Sequence, residues 1–358
     1  RFKKMKGNKI KSISILVTCS GGQLAPSLLK AISKSKNIKI NTISTDLNAD
    51  AIGRSFSDKF FTVPSGYDEK YINYMLDLCK KEKIDVIFPW SDEEALNFAL
   101  NKDVFENEGI KVSCPPAEMV PFLVNKGEMY DHLANLGISL PEYKRVTSKE
   151  SLKIAAFELG YPENELVVKP TVSRGGRGVW IIKEKDLDMD ELNKEISLDS
   201  FNLDSFLKTS KDEDIQELIV MKMLPGAMYD VDILANKEGT PFYIVPRRRF
   251  HPRTTPFRGC YLDKNESVID LASTLQSKLL MPNLFDYDII LDEKNKPWIL
   301  EVNPRMSGSL AVSEISGINF IEMACMMLLD IPFEKVDIPW GRGAKPFFEL
   351  SEMISPIE

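Results

Sequence analysis

Residues 167–179 read VVKPTVSRGGRGV, from Val167 to Val179, and the fold turns on how this stretch is understood. Two valines carry an extended segment into Lys169, and Pro170 then removes a backbone donor and discourages a helix. Gly175, Gly176 and Gly178 crowd into a turn with Arg174 and Arg177 between them, before GVWII opens a second apolar run. A glycine-dense turn between two strands lets several backbone N–H groups approach one anion, and the flanking guanidinium groups add charge. Lys169, set in a buried strand just before it, adds a point charge, so polyphosphate is the expected ligand. Taken alone, the stretch also reads as an ordinary hairpin with a basic tip. It is not a Walker loop, since GK[ST] is absent and no helix follows directly. A dinucleotide fingerprint is excluded by the spacing and by the strand that follows.

A second stretch decides between the two readings. FDYDIILD (285–292) alternates, so Asp286 and Asp288 share one side of a strand. WILEVNPRMSG (298–308) alternates again and places Glu301 and Asn303 on one side of a strand end. Asp288, Glu301 and Asn303 thus offer hard oxygen ligands from two strands expected to be neighbours. Mg²⁺ prefers one or two carboxylates plus substrate phosphate oxygens, which this set supplies. Arg305, two residues on, is placed to hold a transferring phosphoryl group or the acid that accepts it. Each acid by itself reads equally as an exposed strand-end residue; the set with the glycine loop points to phosphoryl chemistry. PFYIVPRRRFHPRTTPFRG (241–259) carries Arg247, Arg248, Arg249, Arg253 and Arg258, which we read as a loop for an anionic substrate.

The bulk properties narrow the class. A chain of 358 residues holds two or three compact units. Hydrophobic content of 43% and charged content of 28% are ordinary for a globular protein, and the net charge of −7 disfavours nucleic acid as a partner. No apolar run approaches bilayer length, so no membrane partner is expected. The five cysteines are widely spaced, with no CxxC, and only His132 and His251 accompany them, which argues against disulfides and zinc and for a reducing cytoplasm. The chain begins at Arg1, which suggests processing or truncation upstream.

Residues 1–118 alternate strands (12–17, 38–44, 85–90) with helical segments, which predicts a doubly wound parallel sheet. The segment from 68 to 83 is expected to bury Tyr71, Tyr74, Met75 and Leu78, and Ser91 with Glu94 reads as a capping box. Gly21, Gly22, Asp46, Asp92, Glu93 and Glu94 follow strand ends, where such sheets bind ligands, although each also reads as a turn or a cap. In the second unit, 119–212, NKGEMYDHLANLG (125–137) is a short helix with Met129, Leu133 and Leu136 inward. Lys126 in its first turn opposes the helix dipole unless an anion is near or the side chain points to water. Residues 184–214 read as a solvated edge. The third unit, 213–358, holds the acidic strands.

These residues together resemble the ATP-grasp superfamily, and in particular one ATP-grasp half of a carbamoyl-phosphate synthase large subunit, over nearly the whole chain. The resemblance implies an α/β and α+β architecture: a pre-ATP-grasp doubly wound parallel sheet, then a two-lobed ATP-grasp fold. It implies an ATP-grasp ligase that activates a small carboxylate as an acyl phosphate for an amine or similar nucleophile, with ATP and Mg²⁺, or Mn²⁺ in its place. By the resemblance Lys126, Lys169, Arg174, Gly175, Gly176 and Gly178 hold the nucleotide phosphates. Met221, Lys222, Met223 and Leu224 line adenine, and Asp288, Glu301 and Asn303 bind the metal. Arg305 stabilises the acyl-phosphate step, with Lys169 and Arg249 as further catalytic groups. Met221 and Lys222 depart from the acids common at the hinge, and Met228 stands where an acid commonly takes the ribose, leaving Asp230 or Asp232 to compensate. Phosphorylation of bicarbonate or carbamate, a non-catalytic nucleotide-binding regulator, and a homodimeric assembly remain open alternatives at this stage.

Overall fold

The computed structural model describes residues 12–172, 178–184, 200–211, 215, 217–251, 258–347 and 349. Arg174, Gly175, Gly176 and Arg253 lie outside the described residues, as does most of the acidic stretch expected at 184–214.

The first unit is built on β1 (Ser12–Val17), β2 (Lys39–Asp46), β3 (Lys59–Thr62), β4 (Val86–Phe88) and β5 (Lys111–Val112). They form a parallel sheet in the order β3-β2-β1-β4-β5. Strands buried on both faces read as apolar runs, and the intervening helices Ala25–Ile32, Tyr71–Glu82 and Asp92–Leu100 each bury one stripe. The winding reverses between β1 and β4, which opens a crevice at their carboxyl ends. Two local expectations are corrected. Tyr74 is 41% exposed, because its hydroxyl reaches the Thr62 carbonyl at 3.2 Å on the surface. Ser91 occupies the N-cap without capping the helix; its hydroxyl donates instead to Glu94 Oε2 at 2.8 Å. Glu94 also accepts from Thr18 Oγ1 at 2.6 Å and from the Tyr71 hydroxyl at 2.7 Å, so it is a buried tie between β1 and two helices.

The second sheet contains β6 (Tyr143–Val146), β7 (Leu166–Pro170), β8 (Trp180–Ile182), β9 (Ser200–Phe201) and β10 (Leu218–Lys222), in the order β6-β10-β7-β8-β9. The stretch that carries Lys169 is therefore a strand with an antiparallel return in β8. A division after residue 212 assigns β10 to the third unit, but β10 pairs with both β6 and β7 and belongs to this sheet. Its apolar run, LIVM, needed partners on both edges, and these lie in the preceding segment.

The third sheet is antiparallel: β11 (Met228–Ala235), β12 (Pro241–Arg249), β13 (Cys260–Leu262), β14 (Asn283–Leu291), β15 (Pro297–Asn303) and β16 (Gly343–Ala344), in the order β15-β14-β11-β12-β13-β16. The turn into β11 requires Gly226, because a Cβ there would lie 2.3 Å from the Leu291 carbonyl oxygen. One face buries Tyr229, Val231, Phe285, Tyr287 and Ile299 against helix Glu266–Leu279 and against Met129 and Leu133. At one end of the opposite face, Leu234, Val245 and Leu284 join Ile13, Ile15 and Val17 of the first unit in a shared core. That core fixes the first unit against the third and leaves the other end of the face for charged side chains. Among the described residues no helix is long and apolar enough to cross a membrane.

Candidate active site

Strand register assembles the charged face. Across β12, β11, β14 and β15, one row runs Arg247, Asp230, Asp288, Glu301, and the next runs Val245, Asp232, Asp286, Asn303. Carboxylate oxygens of Asp230, Asp286 and Asp288 lie within 4.8 Å of one another. Each such pair of charges repels by about 3–4 kcal/mol at an effective dielectric near 20, so the face requires cations. Arg249 supplies one, with Nε 2.9 Å from Asp230 Oδ2 and Nη2 2.7 Å from Asp230 Oδ1 and 3.3 Å from Asp288 Oδ2. Arg305 supplies another, with Nη1 3.1 Å from Asp286 Oδ1 and Nε 3.0 Å from Asp92 Oδ1. Asn303 donates to Asp286 Oδ2 at 3.2 Å.

The lysines enter from the second unit. Asn125 caps helix Lys126–Asn135 by accepting from the Gly127 and Glu128 amides, and the Lys126 amide donates to the Thr171 carbonyl at 2.8 Å. So anchored, Lys126 places Nζ 3.0 Å from Glu301 Oε1, which is the nearby anion its position against the helix dipole called for. Lys169 is 8% exposed, and its Nζ donates to the Tyr130 hydroxyl at 3.3 Å and the Leu300 carbonyl at 3.5 Å. Leu300 occupies an irregularity between the pairs Asp288–Glu301 and Ile289–Ile299, which turns its carbonyl out of the ladder. Tyr130 also donates to that carbonyl, at 3.1 Å, and holds the lysine from below.

Electrostatics follow from this geometry. Burial pushes the Lys169 ammonium below its ordinary range, and Glu301 and Asp288 oppose that shift. Burial alone would raise Glu301, but Lys126 and Lys169 hold it below the usual carboxylate range. Asp288 is pushed up to about 7 by burial, against the pull of Arg249. Burial likewise acts to raise Asp230, yet Arg249 takes it below the ordinary value. Asp288 and Glu301, paired across β14 and β15, and Asn303 one row on offer hard oxygen donors of the kind a divalent cation takes, beside cationic groups that suit phosphate oxygens; the carboxylates that lie within 4.8 Å of one another are those of Asp230, Asp286 and Asp288.

Other expected residues fall differently. Arg249 does not extend with the loop; it lies on the acid face. Arg247 is fully buried, clamped by Asp232 through Nε at 2.7 Å and Nη2 at 2.8 Å, with Nη1 on Ser309 Oγ at 2.6 Å. The sequence reading assigns both arginines to an anionic substrate; in the structure each is paired with strand acids. Asp230 and Asp232 are consequently committed to arginines and do not stand free for a ribose. At the hinge, Met221 is buried, Lys222 Nζ lies 3.4 Å from Glu142 Oε2, and the Met223 amide donates to the Glu165 carbonyl at 2.9 Å. Sequence reasoning missed Asp230 as a neighbour of Asp288 and Tyr130 as the lysine's support, and it placed Asp286 beside Asp288 without giving it a role. The DVD of β11 and the DYD of β14 carried the first signal, since antiparallel pairing sets them opposite each other.

Two family models match the chain: an ATP-grasp described as belonging to a biosynthetic pathway with the Ter operon, over residues 214–343, and a PylC-like N-terminal domain, over residues 15–113. The carbamoyl phosphate synthase large chain of Clostridium acetobutylicum is 24% identical over 310 residues, which are 82% of this chain and 26% of that protein. The chain thus spans about a quarter of the length of that relative. An N5-carboxyaminoimidazole ribonucleotide synthetase in complex with ADP superposes with a TM-score of 0.66 at 15% identity, covering 93% of this chain and 81% of that one. The biotin carboxylase domain dimer of the Hydrogenobacter thermophilus 2-oxoglutarate carboxylase, with MgADP and bicarbonate, gives 0.64 at 16% identity over 91% of this chain and 72% of that one. An L-amino acid ligase from Bacillus licheniformis gives 0.60 at 13% identity over 90% and 75%. The chain has an ATP-grasp fold with a parallel-sheet unit in front of it, and the resemblance to a carbamoyl-phosphate synthase large chain holds.

Proposed function

We propose that the chain is an ATP-dependent ligase that activates a small carboxylate as an acyl phosphate, which an amine or similar nucleophile then attacks, with release of ADP and phosphate. The observation that carries this reading is the meeting of Lys126, Lys169, Asp288 and Glu301 at one end of the third sheet. Lys126, which pairs with Glu301 before a ligand arrives, and Lys169, buried close to the same acids, are placed to transfer to triphosphate oxygens, while the acids are left for Mg²⁺ or Mn²⁺. The bound cation would screen charge between nucleotide and carboxylate.

In the first step a carboxylate oxygen attacks the γ-phosphorus, the bond from that phosphorus to the β,γ-bridging oxygen breaks, and ADP leaves. In the second the amine nitrogen attacks the acyl carbon, phosphate leaves with the bonding pair, and the amine proton passes to phosphate or solvent. Lys126 and Lys169 neutralise the phosphates, and Arg305, held between Asp92 and Asp286, faces the transferred group. Arg174, Gly175, Gly176 and Gly178 are assigned to the phosphates, residues 221–224 to adenine, and Asn303 to the metal beside Asp288 and Glu301. The pre-grasp unit ends near residue 118, and the two lobes divide after β10. A cytoplasmic homodimer acting on small molecules completes the reading.

A second reading is supported by the carbamoyl phosphate synthase match: bicarbonate or carbamate takes the carboxylate's place. An isotope experiment tests both. With a candidate carboxylate or bicarbonate labelled with ¹⁸O, the acyl-phosphate route transfers one label to inorganic phosphate. ADP formation without label transfer would refute the route, and absence of ADP formation across a broad panel would favour a non-catalytic nucleotide binder.

A further inference from the structure

The two acids assigned to the metal are each already in contact with a cation: Asp288 with Arg249 Nη2 at 3.3 Å, and Glu301 with Lys126 Nζ at 3.0 Å. The two cations are held differently. Lys126 sits at a helix start, where it can turn toward an incoming phosphate. Arg249 is fastened through two guanidinium nitrogens to Asp230, on the strand next to Asp288, with its side chain 9% exposed. Its sister Arg247 shows what a purely structural arginine looks like on this face: it has no exposure, and its remaining nitrogen is taken by Ser309 and Cys260. Arg249 instead leans one nitrogen over a metal acid, at 3.3 Å against 2.9 and 2.7 Å to Asp230. It can release Asp288 without leaving Asp230.

We propose that Arg249 is an internal counter-ion that withholds Asp288 from free divalent cations, so that the metal enters only together with a nucleotide triphosphate. Asp230, Asp286, Asp288 and Glu301 bring four carboxyl groups, and Arg249, Arg305 and Lys126 set three cations against them at contact distance. A lone divalent cation meets little net charge there and has to displace a guanidinium. A triphosphate changes the balance, because its oxygens draw Lys126 from Glu301 and complete the cation's coordination. Asp230 is thereby a positioning residue: it aims Arg249 at Asp288. The inference rests on the nucleotide reading above, but its failure is separable from the failure of that reading.

The test is Mn²⁺ binding to the full chain without nucleotide, followed by electron paramagnetic resonance of free Mn²⁺ and by calorimetry. The proteins are the wild type and Arg249→Gln, which retains length and hydrogen bonding but lacks charge. The wild type is expected to show no Mn²⁺ site tighter than about millimolar, and Arg249→Gln to bind at least about tenfold more tightly, since one unit charge beside the acids is gone. Equal Mn²⁺ affinity in the two proteins overturns the proposal. So does a tight nucleotide-free site in the wild type, a result that needs no folded variant. A parallel titration with Mn²⁺ and a non-hydrolysable ATP analogue separates the two levels. Binding of the complex by the wild type with no effect of Arg249→Gln on free Mn²⁺ sinks the counter-ion role alone, whereas failure to bind the complex sinks the nucleotide reading.

Discussion

Arg305 and Asp92 meet at 3.0 Å, joining the turn after β15 to the first helix after β4 in the pre-grasp unit. Trp90, two residues before Asp92, adds a hydrogen bond from its indole nitrogen to the Ser307 carbonyl at 3.0 Å. The arginine assigned to the transferred group is thus aimed from outside the grasp lobes. Asp92→Asn is expected to keep Mg²⁺–nucleotide affinity within about threefold, because the phosphate-facing lysines are untouched, while turnover falls at least about tenfold as Arg305 loses one of its two carboxylates. Calorimetry and ADP release, measured on the same preparations, check the split.

Lys169→Met removes a charge whose burial is already unfavourable without nucleotide. Stability of the nucleotide-free protein is expected to stay level or rise, and affinity for a Mg²⁺–ATP analogue to fall by about two orders of magnitude, near 3 kcal/mol. Thermal melts with and without the analogue measure both effects: the ligand-induced shift disappears in the variant while its unliganded midpoint does not drop.

Glu314 gives a pH-dependence. It is buried, accepts from the Ile321 amide at 2.9 Å, and burial pushes its carboxyl up to about 8. Between its unfolded value near 4.5 and about 8, the folded chain keeps a proton that the unfolded chain has lost, so this group's contribution to stability falls as pH rises through that window. Glu314→Gln keeps the acceptor and has no proton to lose. We expect the variant to be more stable than the wild type at pH 8 by up to a few kcal/mol and indistinguishable at pH 4. Urea midpoints across that range provide the measurement.

The Arg247–Asp232 pair lies on the acid face itself and has almost no solvent access. Arg247→Met leaves Asp232 buried without its main partner and should cost about 3–5 kcal/mol, whereas the double substitution Arg247→Met, Asp232→Leu should recover most of that loss. A double-mutant cycle by chemical denaturation reads the coupling directly.

Much of this arrangement was legible in the sequence because it rests on period-two alternation. The β14 and β15 patterns placed Asp286, Asp288, Glu301 and Asn303 on common sides before any fold was known. The lysine strand was legible too, since valines, Pro170 and the glycine run constrain it. What stayed hidden is what depends on register between distant strands. Nothing local says that Asp230 sits beside Asp288, or that Arg249 turns inward while Arg248 stays exposed. The same blindness hid the turn of Arg247 and Arg249 onto the acids of β11 and made Ser91–Glu94 look like a capping box. The arginines are drawn by acids of a neighbouring strand, and Glu94 by Thr18, just past β1, and Tyr71 of the preceding helix.

The central claim is that the acids of β14 and β15 and the two lysines form the site of phosphoryl transfer from ATP. Its most direct measurement is ADP release by the wild type and by Glu301→Gln, over a series of Mg²⁺ concentrations, with a pooled set of small carboxylates and amines. The account predicts substrate-dependent ADP release by the wild type and a rate at least about a hundredfold lower for Glu301→Gln, the scale of losing one preorganised charged group. Equal rates for the two proteins at limiting Mg²⁺ would contradict it.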